Sequence, residues 1–148
     1  DGVADYTDAA RALARLHGEA AGLRPGMRLL ELACGHGAGL DLWADEFSVR
    51  AACAVEVRPA CLAAIAARSA HSQTRLVAGR FDEPLAGLVG AAAFDAIVCV
   101  DAAYHARSLA DFLGACRALL APDGVLAFST VIPGPGYGRL GRVRLALL

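Results

Sequence analysis

Lysine is absent from this 148-residue chain, and all 14 of its basic residues are arginine. We read that bias as base composition of the coding DNA and attach no function to it. Fifteen acidic residues leave a net charge of −1, so no overall field draws the chain to nucleic acid or to an acidic membrane. Long apolar runs are also missing; none approaches the roughly 20 residues that a membrane span needs. The opening Asp1-Gly2-Val3-Ala4-Asp5 has neither the basic nor the apolar stretch of a signal peptide. Five cysteines (Cys34, Cys53, Cys61, Cys99 and Cys116) show no CxxC spacing and no accompanying histidine cluster, which argues against a metal site. Their odd number and apolar surroundings read as buried, reduced thiols of a cytoplasmic protein. What the chain does have is apolar residues, 57% against 20% charged, enough for one globular domain with its own core.

Hydrophobic patterning sets out the elements. Residues Thr7 to Gly22 carry Leu13, Leu16, Ala20 and Leu23 at helical spacing, with Asp5 or Thr7 as the cap. Met27 to Ala33 is a short apolar run with Glu31 near its end. A glycine-rich stretch leads to a helix over Leu40 to Phe47. Val49 to Val55 predicts a second strand ending at Glu56, and Pro59 opens a helix reaching about Ala70. Thr74 to Ala78 is a third strand, followed by an irregular stretch with Gly79, Pro84, Gly87 and Gly90. Phe94 to Val100 reads as a strand buried on both faces. Ser108 caps a helix to Leu120, Pro122-Asp123-Gly124 turns the chain, and Val125 to Val131 is a fifth strand. Alternating strands and helices imply an α/β, doubly wound, Rossmann-like parallel sheet.

Ligands of such sheets bind at the carboxyl ends of the strands, where the strand order reverses. The turn expected there reads Glu31-Leu32-Ala33-Cys34-Gly35-His36-Gly37-Ala38-Gly39. Its glycines permit positive φ and close approach of a ligand. Glu56 then ends the next strand, where a carboxylate accepts both ribose hydroxyls of a nucleoside. A pyrophosphate binder would show GxGxxG, but the third glycine position holds Leu40. A carboxylate at Glu31, facing the loop, would repel a pyrophosphate and suits the ammonium of an amino acid. The loop favours a cationic amino-acid nucleoside over a dinucleotide.

These residues resemble a known family. Leu29 to Gly37 is similar to motif I of class I S-adenosylmethionine-dependent methyltransferases, D/E-x-G-C-G-x-G, with Ala33 in place of the first glycine and His36 in place of a small polar residue. Ala54 to Pro59 resembles the second-strand motif whose acidic residue binds ribose, and Phe94 to Asp101 the fourth-strand motif. Arg117 to Leu126 resembles the R-x-L-x-P-G-G-x-L segment before strand five. The resemblance covers residues 24 to 131. It implies S-adenosyl-L-methionine as cofactor, the order 3-2-1-4-5, and a cofactor site of Glu31, Ala33, Cys34, Gly35, Gly37, Glu56, Val57, Phe81, Asp82 and Asp101. Asp82 and Phe81, candidates for the adenine, sit later after strand three than the family's acidic residue.

The acceptor side falls on the loop Asp101 to Arg107. His105 is the candidate general base and Tyr104 the candidate pocket wall, an aromatic–His pair that the resemblance supports for a small-molecule acceptor. The family closes its sheet with a sixth and an antiparallel seventh strand. Here the expectation is a methyltransferase domain over 1–132 without them. The 133–148 tail is then the start of a truncated substrate-cap helix, with Arg139, Arg142 and Arg144 among apolar residues. The strand-five edge would then be open to self-association. Two other readings stay open: a noncatalytic or degenerate S-adenosylmethionine-binding domain, and a nicotinamide-dependent oxidoreductase.

Overall fold

A computed structural model describes residues 5–49, 51–68, 73–91, 93–133 and 143–147. In chain order the elements are α1 (Tyr6–Ala20), β1 (Leu29–Leu32), α2 (Ala38–Glu46), β2 (Ala52–Glu56), α3 (Pro59–Ala66) and β3 (Arg75–Ala78). They continue with α4 (Leu85–Val89), β4 (Phe94–Cys99), a 3-10 turn over Ala103–His105, α5 (Leu109–Leu119), β5 (Leu120–Pro133) and β6 (Val143–Leu147). The sheet order is β3-β2-β1-β4-β5-β6, with the first five strands mutually parallel, as the sequence pattern predicts.

Two apolar cores sandwich the sheet, and the two-residue period of the strands divides their side chains between them. Leu29, Ala54 and Val98 join Leu23, Leu40, Trp43 and Ile65 on the side of α1, α2 and α3. Leu30, Leu32, Val55, Ile97 and Cys99 join Leu85, Phe112 and Cys116 on the side of α4 and α5. All five cysteines are buried and free. Ser108 caps α5 as expected, its hydroxyl accepting from the Asp111 N–H at 3.2 Å. Asp5 is the N-cap of α1 but makes no side-chain cap bond.

Three features differ from the sequence pattern. The stretch after β3 contains α4, a helix of only 5 residues between Pro84 and Gly90, too short for periodicity to reveal. β5 starts at Leu120, runs through Pro122-Asp123-Gly124, and absorbs them in a register shift opposite Phe94 and Ala96. The tail contributes β6, not a helix. β6 runs antiparallel to β5, from Ser129 opposite Leu147 to Pro133 opposite Val143. Val143 to Leu147 alternates apolar and other residues only weakly, yet the unpaired N–H and C=O groups of β5 favour a strand there. The edge expected to be open is therefore paired over residues 129–133. Arg139 and Arg142 lie outside the described residues. No helix of the described residues is long and apolar enough to cross a membrane.

Candidate functional site

The carboxyl ends of β1, β2, β3 and β4 open onto a cleft of about 450 Å³. Its walls are Ala33 and Val55, then Glu56, Val57 and Arg58, then Gly79, Arg80 and Phe81, and finally Val100, Asp101, Ala102 and His105. Five of the predicted residues besides Ala33 therefore converge: Glu56, Val57, Phe81, Asp101 and His105. Val57 is exposed, whereas Phe81 backs edge-on against Phe112, with ring centroids 5.8 Å apart.

Glu56 is 3% exposed, and its carboxylate is built into the backbone around it. Oε2 accepts from the Gly35 N–H at 2.9 Å, while Oε1 accepts from the Arg58 N–H and from Arg58 Nε, each at 2.9 Å. Burial alone would raise its pKa. The Arg58 side chain, the Arg58 N–H and the Gly35 N–H outweigh that and hold the carboxyl below its ordinary value. Glu56 is thus an ionised acceptor on the cleft wall.

Glu31 differs from its expected place. The β1–β2 register sets Glu31 beside Ala54, so Glu56 stands two residues nearer the strand ends. Both side chains lie on the α1–α2–α3 side of the sheet, but Glu31 is below the glycine loop and does not line the cleft. It packs against Gly39, where any Cβ would overlap the carboxyl, and its Oε2 accepts from Trp43 Nε1 at 2.9 Å. Burial pushes its pKa up from 4.5 to about 8, with the indole N–H opposing. Near neutrality it is mostly the uncharged acid, so the charge repulsion expected from it fades.

The loop's glycines also divide. Gly35 and Gly37 take φ of 56° and 81°. A Cβ on Gly35 would point towards Arg58 at 3.6 Å, on the cleft side. A Cβ on Gly37 would instead strike Ile65 at 2.9 Å and Arg68 at 2.6 Å. Arg68 clamps this layer, donating to the His36 carbonyl at 2.7 Å and to Asp41 at 3.2 Å. Cys34 is buried beneath the loop, its thiol pushed well above the usual range by burial and then by Glu31 and Glu56. It does not line the cleft.

Two non-glycine residues of the cleft wall hold left-handed backbone: Ala33 at φ 56° and Asp101 at φ 49°. Such conformations concentrate at functional sites. The Asp101 N–H donates to the buried Ser129 hydroxyl at 2.8 Å, which fixes the loop to β5. Tyr104 stacks at a tilt on His105, centroids 4.4 Å apart, and burial followed by the Asp101 carboxylate raises its phenol pKa. Tyr104 is not itself on the cleft wall.

Asp82 is committed elsewhere. Its carboxylate takes Arg80 Nε at 2.8 Å and Nη2 at 3.0 Å, and Arg107 Nε at 3.2 Å, which holds its pKa down to about 2. It ties the loop after β3 to the loop after β4 and is not among the residues that line the cleft. Arg58, Arg80 and Arg68 went unnoticed in the sequence. For Arg58 a signal existed, since a cation two residues beyond a strand-ending carboxylate is close enough to pair with it.

Residues 5–142 match the family described as "Methyltransferase domain", and the chain belongs to that family. Membership implies S-adenosylmethionine as the cofactor. The fold is shared with solved structures. The cyclopropane synthase MmaA2 from Mycobacterium tuberculosis is 22% identical with a TM-score of 0.73, over 90% of this chain and 46% of that one. A SAM-dependent methyltransferase from Thiobacillus denitrificans, solved with S-adenosyl-L-homocysteine, is 21% identical with a TM-score of 0.67, over 82% and 49%. The cyclase SpnF is 22% identical with a TM-score of 0.78, over 94% and 52%. This chain thus spans about half the length of these structures. A search of curated proteins finds no match to the sequence.

Proposed function

We propose that this cleft binds S-adenosylmethionine and that the domain carries out methyl transfer to a small-molecule acceptor. The observation that carries the reading is Glu56. It is a buried carboxylate kept ionised on the wall of a cleft at the sheet's switch point, with apolar Val57 and Phe81 beside it. That set of donors and acceptors fits a nucleoside: a carboxylate for the ribose hydroxyls, flat apolar surface for a purine, and no row of free glycine N–H groups for a pyrophosphate. Ala33 and Gly35 let the chain approach closely, and Asp101 offers a second carboxylate towards an amino-acid ammonium. When bound, S-adenosylmethionine supplies an electrophilic methyl group on a sulfonium.

His105 is the one histidine on the cleft wall, and we assign it the proton that leaves a hydroxyl acceptor, taken at a ring nitrogen. Tyr104 orients that ring from behind. The walls' remaining task is alignment of the acceptor for in-line displacement. Cytoplasmic location, with no nucleic-acid partner, remains our reading of the composition.

Calorimetric titration with S-adenosylhomocysteine and with NAD tests the cofactor. Binding of the first alone supports the reading; binding of NAD alone would turn it to a nicotinamide-dependent enzyme. Turnover over a panel of acceptors separates an enzyme from a domain that only binds. With an acceptor in hand, His105→Ala should lower kcat by roughly a hundredfold at unchanged S-adenosylhomocysteine affinity. Near-normal turnover would leave His105 a wall residue.

A further inference from the structure

We propose that Arg58 competes with the ribose for Glu56, so that its guanidinium sets how tightly the cleft holds any ligand carrying a vicinal diol. The inference rests on the reading that Glu56 accepts the ribose hydroxyls. A carboxylate offers about four lone-pair positions. Three are filled: Gly35 N–H on Oε2, and Arg58 N–H and Nε–H on Oε1. One position remains, on Oε2. A diol brings two hydroxyl donors and needs two acceptors, so one present donor must leave.

The two backbone donors cannot move without moving the chain. Gly35 sits in the loop at φ 56°, and its neighbour Cys34 is tied to β2 by a bond from its N–H to the Val55 carbonyl at 3.2 Å. The Arg58 N–H lies at the start of α3, locked by Pro59 in the first turn. The Arg58 side chain has no such restraint. It is 61% exposed, its pair with Glu56 spans solvent on one side, and long side chains reorient on the nanosecond scale. The guanidinium is therefore the donor that yields. Its cost is the loss of a half-exposed ion pair, small enough for binding to proceed and large enough to be measured.

The test uses adenosine, 2′,3′-dideoxyadenosine and S-adenosylhomocysteine as probes. They are titrated at pH 8, where Glu56 stays ionised, into the natural chain and the Arg58→Ala, Arg58→Met and Glu56→Gln variants. Both Arg58 variants should bind adenosine and S-adenosylhomocysteine about twofold to fivefold tighter, and dideoxyadenosine with unchanged affinity. Arg58→Met keeps the aliphatic stem, so a gain shared by both variants isolates the guanidinium. Equal or weaker binding of the diol ligands, or an equal gain for dideoxyadenosine, would overturn the competition. Failure of the underlying reading looks different: Glu56→Gln would bind adenosine as well as the natural chain does, or the natural chain would not bind S-adenosylhomocysteine at all. Either result overturns both.

Discussion

Glu31 and Glu56 are the same residue type, on neighbouring strands, on the same side of the sheet and equally buried at 3% exposure. Yet one carboxyl is pushed up to about 8 and the other is held below its ordinary value. The β1–β2 register separates them by two residues, about 6.6 Å of strand. At Glu31's depth the available donor is one indole N–H. At Glu56's depth there are two backbone N–H groups and a guanidinium. Two layers follow from that small offset: a layer under the glycine loop, where the uncharged Glu31 packs with Trp43 and Gly39 and Arg68 pairs with Asp41 beside Gly37, and an ionised Glu56 facing the cleft. Donors reaching the oxygens, and not residue type or burial, decide whether a strand-end carboxylate is charged or neutral.

The largest expected effect lies in the lower layer. Gly37→Val forces a β-branched side chain into left-handed backbone and against Ile65 and Arg68, so it should cost about 2–5 kcal/mol of stability. Binding and melting temperature should fall together. A loss of S-adenosylhomocysteine affinity without a fall in melting temperature would move Gly37 to the cleft layer.

Glu31→Ala leaves the Trp43 N–H without a partner and opens a cavity, for about 2–3 kcal/mol. Glu31→Gln keeps an acceptor for the indole and removes the titration. The folded carboxyl has its pKa above the unfolded value. Its contribution is therefore complete below pH 4.5 and is lost as the pH rises to about 8. Thermal melts from pH 4 to 9 should show the Gln variant gaining on the natural chain across that window, by roughly 10 °C at pH 8. Parallel curves would mean that Glu31 is ionised in the fold and that the two layers are not electrostatically distinct.

How much of this was legible varies with the range of the signal. The continuous apolar run of β4, the Ser108 cap and the alternation that fixes the 3-2-1-4-5 order are local, and they stand in the structure as written in the sequence. Placing Glu56, Val57, Phe81, Asp101 and His105 around one cleft followed from their positions at strand ends. The depth of Glu31 did not, because it depends on the register between β1 and β2, which is a property of the pairing of two segments and not of either one alone.

 

The ion pairs of Asp82 were hidden for a related reason, since its arginine partners come from two loops that only the fold brings together. The short α4 and the strand character of 143–147 were set by tertiary packing and by an edge in need of partners, neither of which periodicity records.

A smaller effect sharpens the upper layer. Ala33 holds φ 56° on the cleft wall where its Cβ is a strain. Ala33→Gly should relieve it and leave the fold about 1 kcal/mol more stable, less the entropy that glycine adds to the unfolded chain. Chemical denaturation measures this directly. A clear loss of stability would show that the Ala33 methyl packs usefully and that its backbone is not strained.

The split between the layers is tested most directly by one paired experiment: calorimetric titration of S-adenosylhomocysteine into Glu56→Gln and Glu31→Gln at pH 7, with melting temperatures taken on the same samples. Glu56→Gln should bind roughly tenfold or more weakly, having lost a charge-assisted acceptor, and its melting temperature should fall too, because one amide oxygen cannot accept from both the Gly35 and the Arg58 N–H. Glu31→Gln should bind as the natural chain does. Weakened binding in Glu31→Gln, or undiminished binding in Glu56→Gln, would contradict the account.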